Sequence, residues 1–217
     1  MTRIFIFCEG QTEDVFVREV LRPHFQRIDV LLTPIIIRTG PQGKGGVSSY
    51  GKIRRQIEIK CKEDPTAWVT TFLDFYGLPT DFPAMGAARS SIDRAKAVEK
   101  AFQDDTAQRN FLANLIIHEF EGLLFSDPAA FGAWFDEPDI VSSLNTIRSN
   151  FETPEHINDG RNTAPSKRVL KICHTYDKVS HGSLIALDIG LDKIRRECPL
   201  FDNWLKRLES LARKDAA

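Results

Sequence analysis

The chain has 217 residues, of which 42% are hydrophobic and 27% are charged, and this composition is typical of a globular protein. No apolar run approaches the roughly 20 residues needed to cross a bilayer, and the first strand-like segment is followed too soon by Glu9 for a secretory signal. The four cysteines lie far apart without a C-x-x-C pair, which favours free thiols over a zinc or redox site. We therefore expect a cytoplasmic protein that does not contact a membrane.

The net charge of −1 conceals an asymmetry along the chain. Residues 161–217 hold 12 basic and 7 acidic residues, whereas residues 1–160 hold 17 basic and 23 acidic ones. This division is compatible with a carboxylate site and a separate surface for a polyanion. We expect residues 1–150 to form one domain and residues 151–217 to form a helical, basic extension packed on it.

Strand-like and helix-like segments alternate in the first part of the chain. The apolar runs predict strands at residues 3–8, 31–37, 68–74 and 111–117. Helices are predicted from an N-cap at Thr12, at residues 49–63 and 91–102, from Asp127 to Phe135, and at residues 166–174, 184–196 and 201–212. This order predicts an α/β fold with a mainly parallel central sheet flanked by helices and a mostly helical carboxyl-terminal part.

Three of the four predicted strands end in carboxylates: Glu9, Asp74, and Glu119 with Glu121. A single acid at a strand end is commonly a helix cap or a solvated turn residue. Three together are harder to explain in that way, because ligands of open α/β sheets bind outside the carboxyl ends of the strands. Clustered carboxylates repel one another, and a hard cation such as Mg²⁺ removes that cost. The pattern therefore predicts a metal site.

Three sequence segments together resemble a known family. They are CEGQTE at residues 8–13, LDFYGLP at residues 73–79 and HEFEGLLF at residues 118–125. The first two resemble the Toprim domain, the catalytic fold that topoisomerases, bacterial primases and OLD-type nucleases share. All three are similar to a group of small bacterial Toprim-like proteins of unassigned function, which are often encoded beside SMC/ABC-type ATPases in phage-defence loci.

The resemblance implies a Toprim-like fold and a site for Mg²⁺ or Mn²⁺. Glu9 matches the Toprim glutamate, a metal ligand or general acid/base, and Asp74 matches the first aspartate of the D-x-D motif. Tyr76 stands where the second aspartate is expected. Glu13 and either Glu119 or Glu121 are candidates for the missing oxygen ligands.

Two basic segments are candidates for binding a phosphate backbone. From Arg38 to Lys62 the chain has seven basic residues and one acid, and the site candidates there are Lys44, Lys52, Arg54 and Arg55. The alternative for this segment is a surface loop followed by an amphipathic helix with a solvated basic face. In the second segment the candidates are Lys167 and Arg168, and Lys178 is the candidate for a cation that stabilises the transition state.

Two functional hypotheses follow. The first is a metal-dependent Toprim-like nuclease that cleaves DNA or RNA as the effector of an anti-phage defence module, with an SMC/ABC-type ATPase as partner. The alternative is a non-catalytic, Toprim-derived binding subunit that regulates the ATPase, and Tyr76 at the position of the second aspartate motivates it.

Overall fold

A computed structural model describes residues 1–38, 49–86, 90–158, 160 and 162–214. The strands within these ranges are β1 Thr2–Cys8, β2 Val30–Ile36, β3 Trp68–Asp74, β4 Phe111–Leu112 and β5 Leu115–Ile116. The α-helices are α1 Gln11–Phe16, α2 Arg22–Gln26, α3 Tyr50–Glu63, α4 Ser91–Thr106, α5 Glu121–Leu124, α6 Asp139–Arg148, α7 Pro165–Ile172, α8 Ser183–Ile189, α9 Leu191–Glu197 and α10 Pro199–Lys214. Two π-helical turns cover Val17–Leu21 and Lys178–Gly182.

The strands form one parallel sheet in the order β2-β1-β3, with β4 and β5 both paired to the outer side of β3. Val69 lies opposite Phe111 and Leu73 lies opposite Leu115, so β4 and β5 keep the same register on β3. Between β4 and β5, the backbone N–H of Asn114 donates to the Thr71 hydroxyl at 3.1 Å. A hydrogen bond to a side chain thus stands where a backbone hydrogen bond between strands is interrupted. The predicted parallel sheet flanked by helices is confirmed.

The two faces of the sheet carry different helices because successive side chains of a strand point to opposite faces. Ile4 and Ile6 of β1 join the core that contains α1, α2 and most of the carboxyl-terminal helices. Phe7 and Val69 join the other core, beneath α3 and α4. Both faces of the central strands are therefore covered, as is usual for parallel sheets.

The last helix, α10, packs on the middle of the sheet. The Trp204 ring stacks on Phe72 of β3 at 5.3 Å, and its Nε1–H donates to the Thr70 hydroxyl at 3.1 Å. The buried Glu155 carboxylate accepts the backbone N–H groups of Leu200 and Phe201 at 2.9 and 2.8 Å, which caps α10 at its start. One core thus includes residues from both sides of the predicted boundary at residue 150, and the division into domains stays a prediction.

Several local predictions are corrected by the structure. The first helix begins at Gln11 with Gly10 as its N-cap, not Thr12, because the Glu13 carboxylate accepts the Gly10 N–H at 3.0 Å. The helix predicted over residues 184–196 is divided at Gly190, whose φ of +80° lies in the region that favours glycine. The helix predicted from Asp127 to Phe135 is a 3₁₀ segment over Pro128–Ala133, and α6 was not predicted.

All four cysteines are buried and free, as predicted. Within the part of the chain that the structure describes, no helix combines the length and the apolar character that a membrane crossing needs.

Candidate active site

The predicted acids lie at one edge of the sheet. Asp74 is the last residue of β3, Glu9 follows β1, and Glu121 opens α5 shortly after β5. Because β1 and β5 both pair in parallel with β3, these three strand ends are neighbours. Glu13 reaches the same edge from the first turn of α1, where it is only 2% exposed.

A lysine from the carboxyl-terminal part lies in the middle of this acid cluster. The Lys178 Nζ is 3.0 Å from Glu13 Oε1, 3.3 Å from Asp74 Oδ2 and 3.7 Å from Glu121 Oε2. The three carboxylate side chains are nearly fully buried, whereas the Lys178 side chain is 36% exposed. The cluster can therefore be reached from solvent on the side of the lysine.

The backbone around Lys178 is fixed by contacts with the rest of the site. The Thr12 hydroxyl donates to the Lys178 carbonyl oxygen at 3.3 Å, and the Asp177 carboxylate caps the π-helical turn by accepting the Ser180 N–H at 2.8 Å. Gly182 ends this turn in a tight space, since a Cβ there would lie 3.2 Å from Phe120 and 3.2 Å from Thr12. Lys178 therefore lies on a turn that is held in place by contacts with Thr12 and Phe120.

Two of the acids are also held by backbone N–H groups. Asp74 Oδ1 accepts the Phe120 N–H at 3.0 Å, and Glu13 Oε2 accepts the Gly10 N–H at 3.0 Å. Glu13 Oε1 has no partner in hydrogen-bond geometry, although it lies within ion-pair distance of Lys178. The carboxylates are thus oriented before any ligand binds.

Burial and crowding shift the pKa values of this cluster. Burial raises the pKa of Asp74 well above its ordinary value, Lys178 opposes the shift, and Glu13, Glu9 and Glu121 add to it. Burial also raises the pKa of Glu9 and of Glu121. For Lys178, burial alone would lower the pKa, but its three acidic neighbours raise it above its ordinary range. A single ammonium group cannot neutralise all four carboxylates.

Glu9 and Tyr76 occupy the rim of the cluster. Both carboxylate oxygens of Glu9 lie 3.4 Å from the position that a Cβ on Gly77 would take, so the glycine provides room for the acid. Tyr76 lies between Asp74 and Gly77, and its backbone N–H donates to the His118 carbonyl oxygen at 3.0 Å. The residue is 41% exposed. A residue facing solvent thus stands where the second Toprim aspartate was expected.

The alternatives Glu119 and Glu121 have different positions. Glu119 Oε2 accepts the Ser166 N–H at 3.0 Å and so caps the start of α7, whereas Glu121 faces Lys178. His118 precedes both acids in the chain, and this buried residue has a φ of +69°. Its pKa is lowered to about 4, chiefly by burial. The imidazole is therefore neutral at pH 7, and its Nδ1 pairs with the Asn158 amide at 3.1 Å.

The structure does not bring the predicted basic residues together. Lys52, Arg54 and Arg55 lie on α3, on the opposite face of the sheet from α7. Arg54 pairs with Glu58 and Asp105 at 2.7 and 3.1 Å, and Lys44 lies outside the described residues.

The basic residues of α7 lie beside a cavity. Lys167 and Arg168 are in the first turns of this helix and line a cavity of about 450 Å³ with Lys171. Arg168 also donates to the Thr163 carbonyl oxygen at 2.6 Å. The cavity lies between α6 and α7, and none of the clustered acids or Lys178 lines it.

The donor set of the cluster fits a hard divalent cation in its chemistry. All its ligand atoms are carboxylate oxygens, which Mg²⁺ prefers, and Glu13 Oε1 and Glu121 Oε2 are buried without hydrogen bonds. Within the described ranges, however, no three His, Cys, Asp or Glu side chains are arranged around one ion position. The agreement with a divalent cation is therefore one of ligand chemistry, carried by the unpartnered oxygens of Glu13 and Glu121.

The sequence predicts Lys178 as a cation that stabilises the transition state. Its contacts with Glu13, Asp74 and Glu121 were not predicted. The signals in the sequence were local: Asp177 and Ser180 are spaced for a cap, and Gly182 follows.

The fold and the site define an α/β protein with a carboxylate cluster at the carboxyl edge of a parallel sheet. Residues 8–209 match the family model described as "Domain of unknown function (DUF4276)", and the chain belongs to this family. No curated protein matches the sequence. Among solved structures, the chain is similar to the C-terminal regions of two OLD proteins. For Xanthomonas campestris pv. campestris the identity is 11%, with 100% of this chain and 99% of that chain covered and a TM-score of 0.47. For Burkholderia pseudomallei the identity is 16%, with 100% of both chains covered and a TM-score of 0.45.

Proposed function

We propose that this protein is a divalent-metal-dependent, Toprim-like nuclease that hydrolyses phosphodiester bonds. The observation that carries the proposal is the contact of Glu13, Asp74 and Glu121 with Lys178 at the carboxyl edge of the sheet, where Glu9 follows β1. The imbalance between the acids and one ammonium group supports the binding of a further cation. The resemblance of residues 8–13 and 73–79 to the Toprim motifs supports the same chemistry.

In this proposal, Glu9 and Asp74 would hold Mg²⁺ or Mn²⁺. The chemistry supplied by such an ion would be activation of water and stabilisation of the leaving oxygen of the phosphodiester. Lys178 is partly exposed and places its ammonium group beside Asp74, where it can donate to a non-bridging phosphate oxygen. We assign the binding of the phosphate backbone to Lys167 and Arg168, which line the cavity beside α7.

The resemblance also supports a role as the effector of an anti-phage defence module beside an SMC/ABC-type ATPase. DNA and RNA both remain candidate substrates, because contacts with phosphates do not distinguish the sugars or the bases.

The test is a cleavage assay with plasmid DNA, single-stranded DNA and tRNA in the presence of Mn²⁺ or Mg²⁺. We expect cleavage by the wild type, loss of cleavage in Glu9→Ala, and no cleavage in EDTA. Glu63→Ala is the matched control, because Glu63 is an exposed acid at the end of α3 with a surface ion pair to Lys60. Equal cleavage by the wild type and Glu9→Ala would sink the proposal.

The second candidate function is a non-catalytic subunit that regulates an ATPase. It is favoured by the exposure of Tyr76, which supplies no carboxylate to the cluster. Calorimetric titration with MnCl₂ separates the two candidates: a metal-dependent nuclease binds Mn²⁺ and loses affinity in Asp74→Asn, whereas a purely structural cluster shows no difference between the variant and the wild type.

A further inference from the structure

The cavity between α6 and α7 has the size of a site for a small molecule. Its volume is about 450 Å³, and such sites in proteins have volumes of roughly 300–1,000 Å³. Helix α7 contributes Lys167, Arg168 and Lys171 to its wall, and α6 contributes Ser143 and Ile147. Among the described residues of this lining there is no acid, so the cavity favours an anion.

The two lysines give the cavity wall a positive charge. Lys167 and Lys171 are both exposed, and neither forms an ion pair within residues 1–38, 49–86, 90–158, 160 and 162–214. They are four positions apart on α7 and therefore lie on the same face of the helix, where like charges repel. An anion bound between the two ammonium groups would remove this repulsion.

Arg168 adds a cation whose orientation is fixed by the protein. Its Nε–H donates to the Thr163 carbonyl oxygen at 2.6 Å, and its guanidinium carbon lies 5.3 Å from the centroid of the Phe151 ring. The backbone at the start of α7 is already engaged, since Glu119 accepts the Ser166 N–H at 3.0 Å. The positive charge that the cavity offers to a ligand therefore comes from side chains.

The rest of the lining is neutral and suits a larger ligand than a bare anion. Ile147 and Ile172 are partly buried and pack on the main core, so they provide an apolar surface. The side chains of Ser143 and Asn162 also line the cavity, and neither has a hydrogen-bond partner in the part of the chain that the structure describes. Apolar surface beside a hydroxyl and an amide is the kind of environment that a base and a sugar need.

We infer that this cavity binds a nucleotide through its terminal phosphate group. A terminal phosphate carries a charge of about −1.5 to −2 at pH 7, which the ammonium groups of Lys167 and Lys171 together balance. An internal phosphodiester carries a single negative charge and would leave one lysine without a counter-ion. The phosphorylated end of a nucleic-acid strand and a free nucleotide both offer this chemistry. The inference rests on the proposed function, because it specifies which phosphate is bound by the residues to which we assign the backbone.

The test measures binding to the full chain in EDTA, so that no divalent ion takes part. The probes are fluorescent single-stranded DNA oligonucleotides of one sequence with a 5′ phosphate, with a 3′ phosphate or with neither. Adenosine monophosphate, adenosine and inorganic phosphate serve as competitors. We expect a phosphorylated strand or the monophosphate to bind about tenfold or more tightly than its counterpart without phosphate. In the double variant Lys167→Met/Lys171→Met this ratio should fall below about twofold.

Two further variants separate the cavity from a general effect of charge. Lys171→Arg keeps the positive charge and should keep the preference for the terminal phosphate. Lys62→Met is the matched control, because Lys62 is an exposed lysine in the last turn of α3, on the opposite face of the sheet. This variant should bind every probe like the wild type.

The outcomes also distinguish the two sources of the phosphate. A phosphorylated strand that binds more tightly than the monophosphate identifies the strand end as the ligand, whereas a monophosphate that binds as tightly or more tightly identifies a free nucleotide. The inference is overturned if the terminal phosphate makes no difference to the wild type or if the difference survives in Lys167→Met/Lys171→Met. Inorganic phosphate that binds as tightly as the monophosphate would also overturn it.

Failure of the inference and failure of the proposed function give different results. Cleavage that depends on Glu9, together with equal binding of phosphorylated and unphosphorylated strands, would refute the nucleotide site and leave the nuclease in place. A preference for the terminal phosphate without cleavage of plasmid DNA, single-stranded DNA or tRNA would refute the nuclease and leave the nucleotide site in place.

Discussion

Gly182 gives the sharpest structural prediction, because the turn that carries Lys178 has no room for a side chain there. A Cβ at this position would lie 3.0 Å from the Tyr176 hydroxyl oxygen, 3.2 Å from Phe120 Cε1 and 3.2 Å from Thr12 Cγ2. Tyr176 is buried, and Phe120 donates its N–H to Asp74. A methyl group would therefore push the turn away from α1 and α5, and it would move Lys178 with it.

The expected magnitude follows from two opposing effects. Overpacking of a well-packed interior costs about 1–3 kcal/mol, whereas replacing a glycine by alanine gains about 0.5–1 kcal/mol through the unfolded chain and helix propensity. For Gly182→Ala we expect a net loss of about 1–2 kcal/mol in the free energy of unfolding. The matched control is Gly51→Ala in α3, where a Cβ meets nothing within 4 Å, so this variant should gain about 0.5–1 kcal/mol.

Urea denaturation followed by circular dichroism measures both variants, and calorimetry with MnCl₂ measures the site. Because Lys178 moves with its turn, Gly182→Ala should also change the affinity for Mn²⁺, whereas Gly51→Ala should not. If Gly182→Ala were as stable as Gly51→Ala and bound Mn²⁺ like the wild type, the packing argument for Lys178 would be refuted.

Three further predictions concern the support of the fold. Glu155→Ala removes the cap of α10 and should cost about 2 kcal/mol in urea denaturation; no loss would contradict the cap. Trp204→Phe leaves the buried Thr70 hydroxyl without its donor and should cost about 1–2 kcal/mol in the same assay. An unchanged free energy of unfolding would contradict a stabilising role of this hydrogen bond. Burial would raise the pKa of Glu209, but hydrogen bonds, chiefly from Arg195, lower it. The ionised Glu209 carboxylate therefore stabilises the folded protein at pH 7, and this contribution is lost as the pH falls below about 4. At that pH the free energies of unfolding of Glu209→Gln and the wild type should converge. A difference that stays constant with pH would contradict this prediction.

The architecture was predictable because each strand carries a strong local signal. Trp68–Asp74 is rich in β-branched and aromatic residues, and it is buried on both faces, as the central strand of a parallel sheet should be. The gap between β4 and β5 was not predictable, since it depends on a bond between Thr71 and Asn114, 43 positions apart. The same holds for the N-cap at Gly10, where the backbone N–H donates to the Glu13 carboxylate and the helix begins before Thr12.

The edge of the sheet at which the acids meet was also predictable, because parallel strands end on the same side. Local sequence did not indicate which acids face inward. Glu119 and Glu121 are two positions apart and follow the turn at His118, which has a positive φ. After this turn Glu119 caps α7, whereas Glu121 faces Lys178. Such a turn conformation is uncommon for a residue other than glycine.

The contact of Lys178 with the acids is the part of the site that depends most on the whole fold. Lys178 and Asp74 are 104 positions apart in the sequence. Thr12, which donates to the backbone carbonyl of Lys178, is 166 positions away from it. Lys178 reaches the acids because Gly182 allows its turn to pack on Thr12 and Phe120. These backbone contacts hold the ammonium group of Lys178 beside the carboxylates. The position of this positive charge among the acids therefore depends on the packing at Gly182.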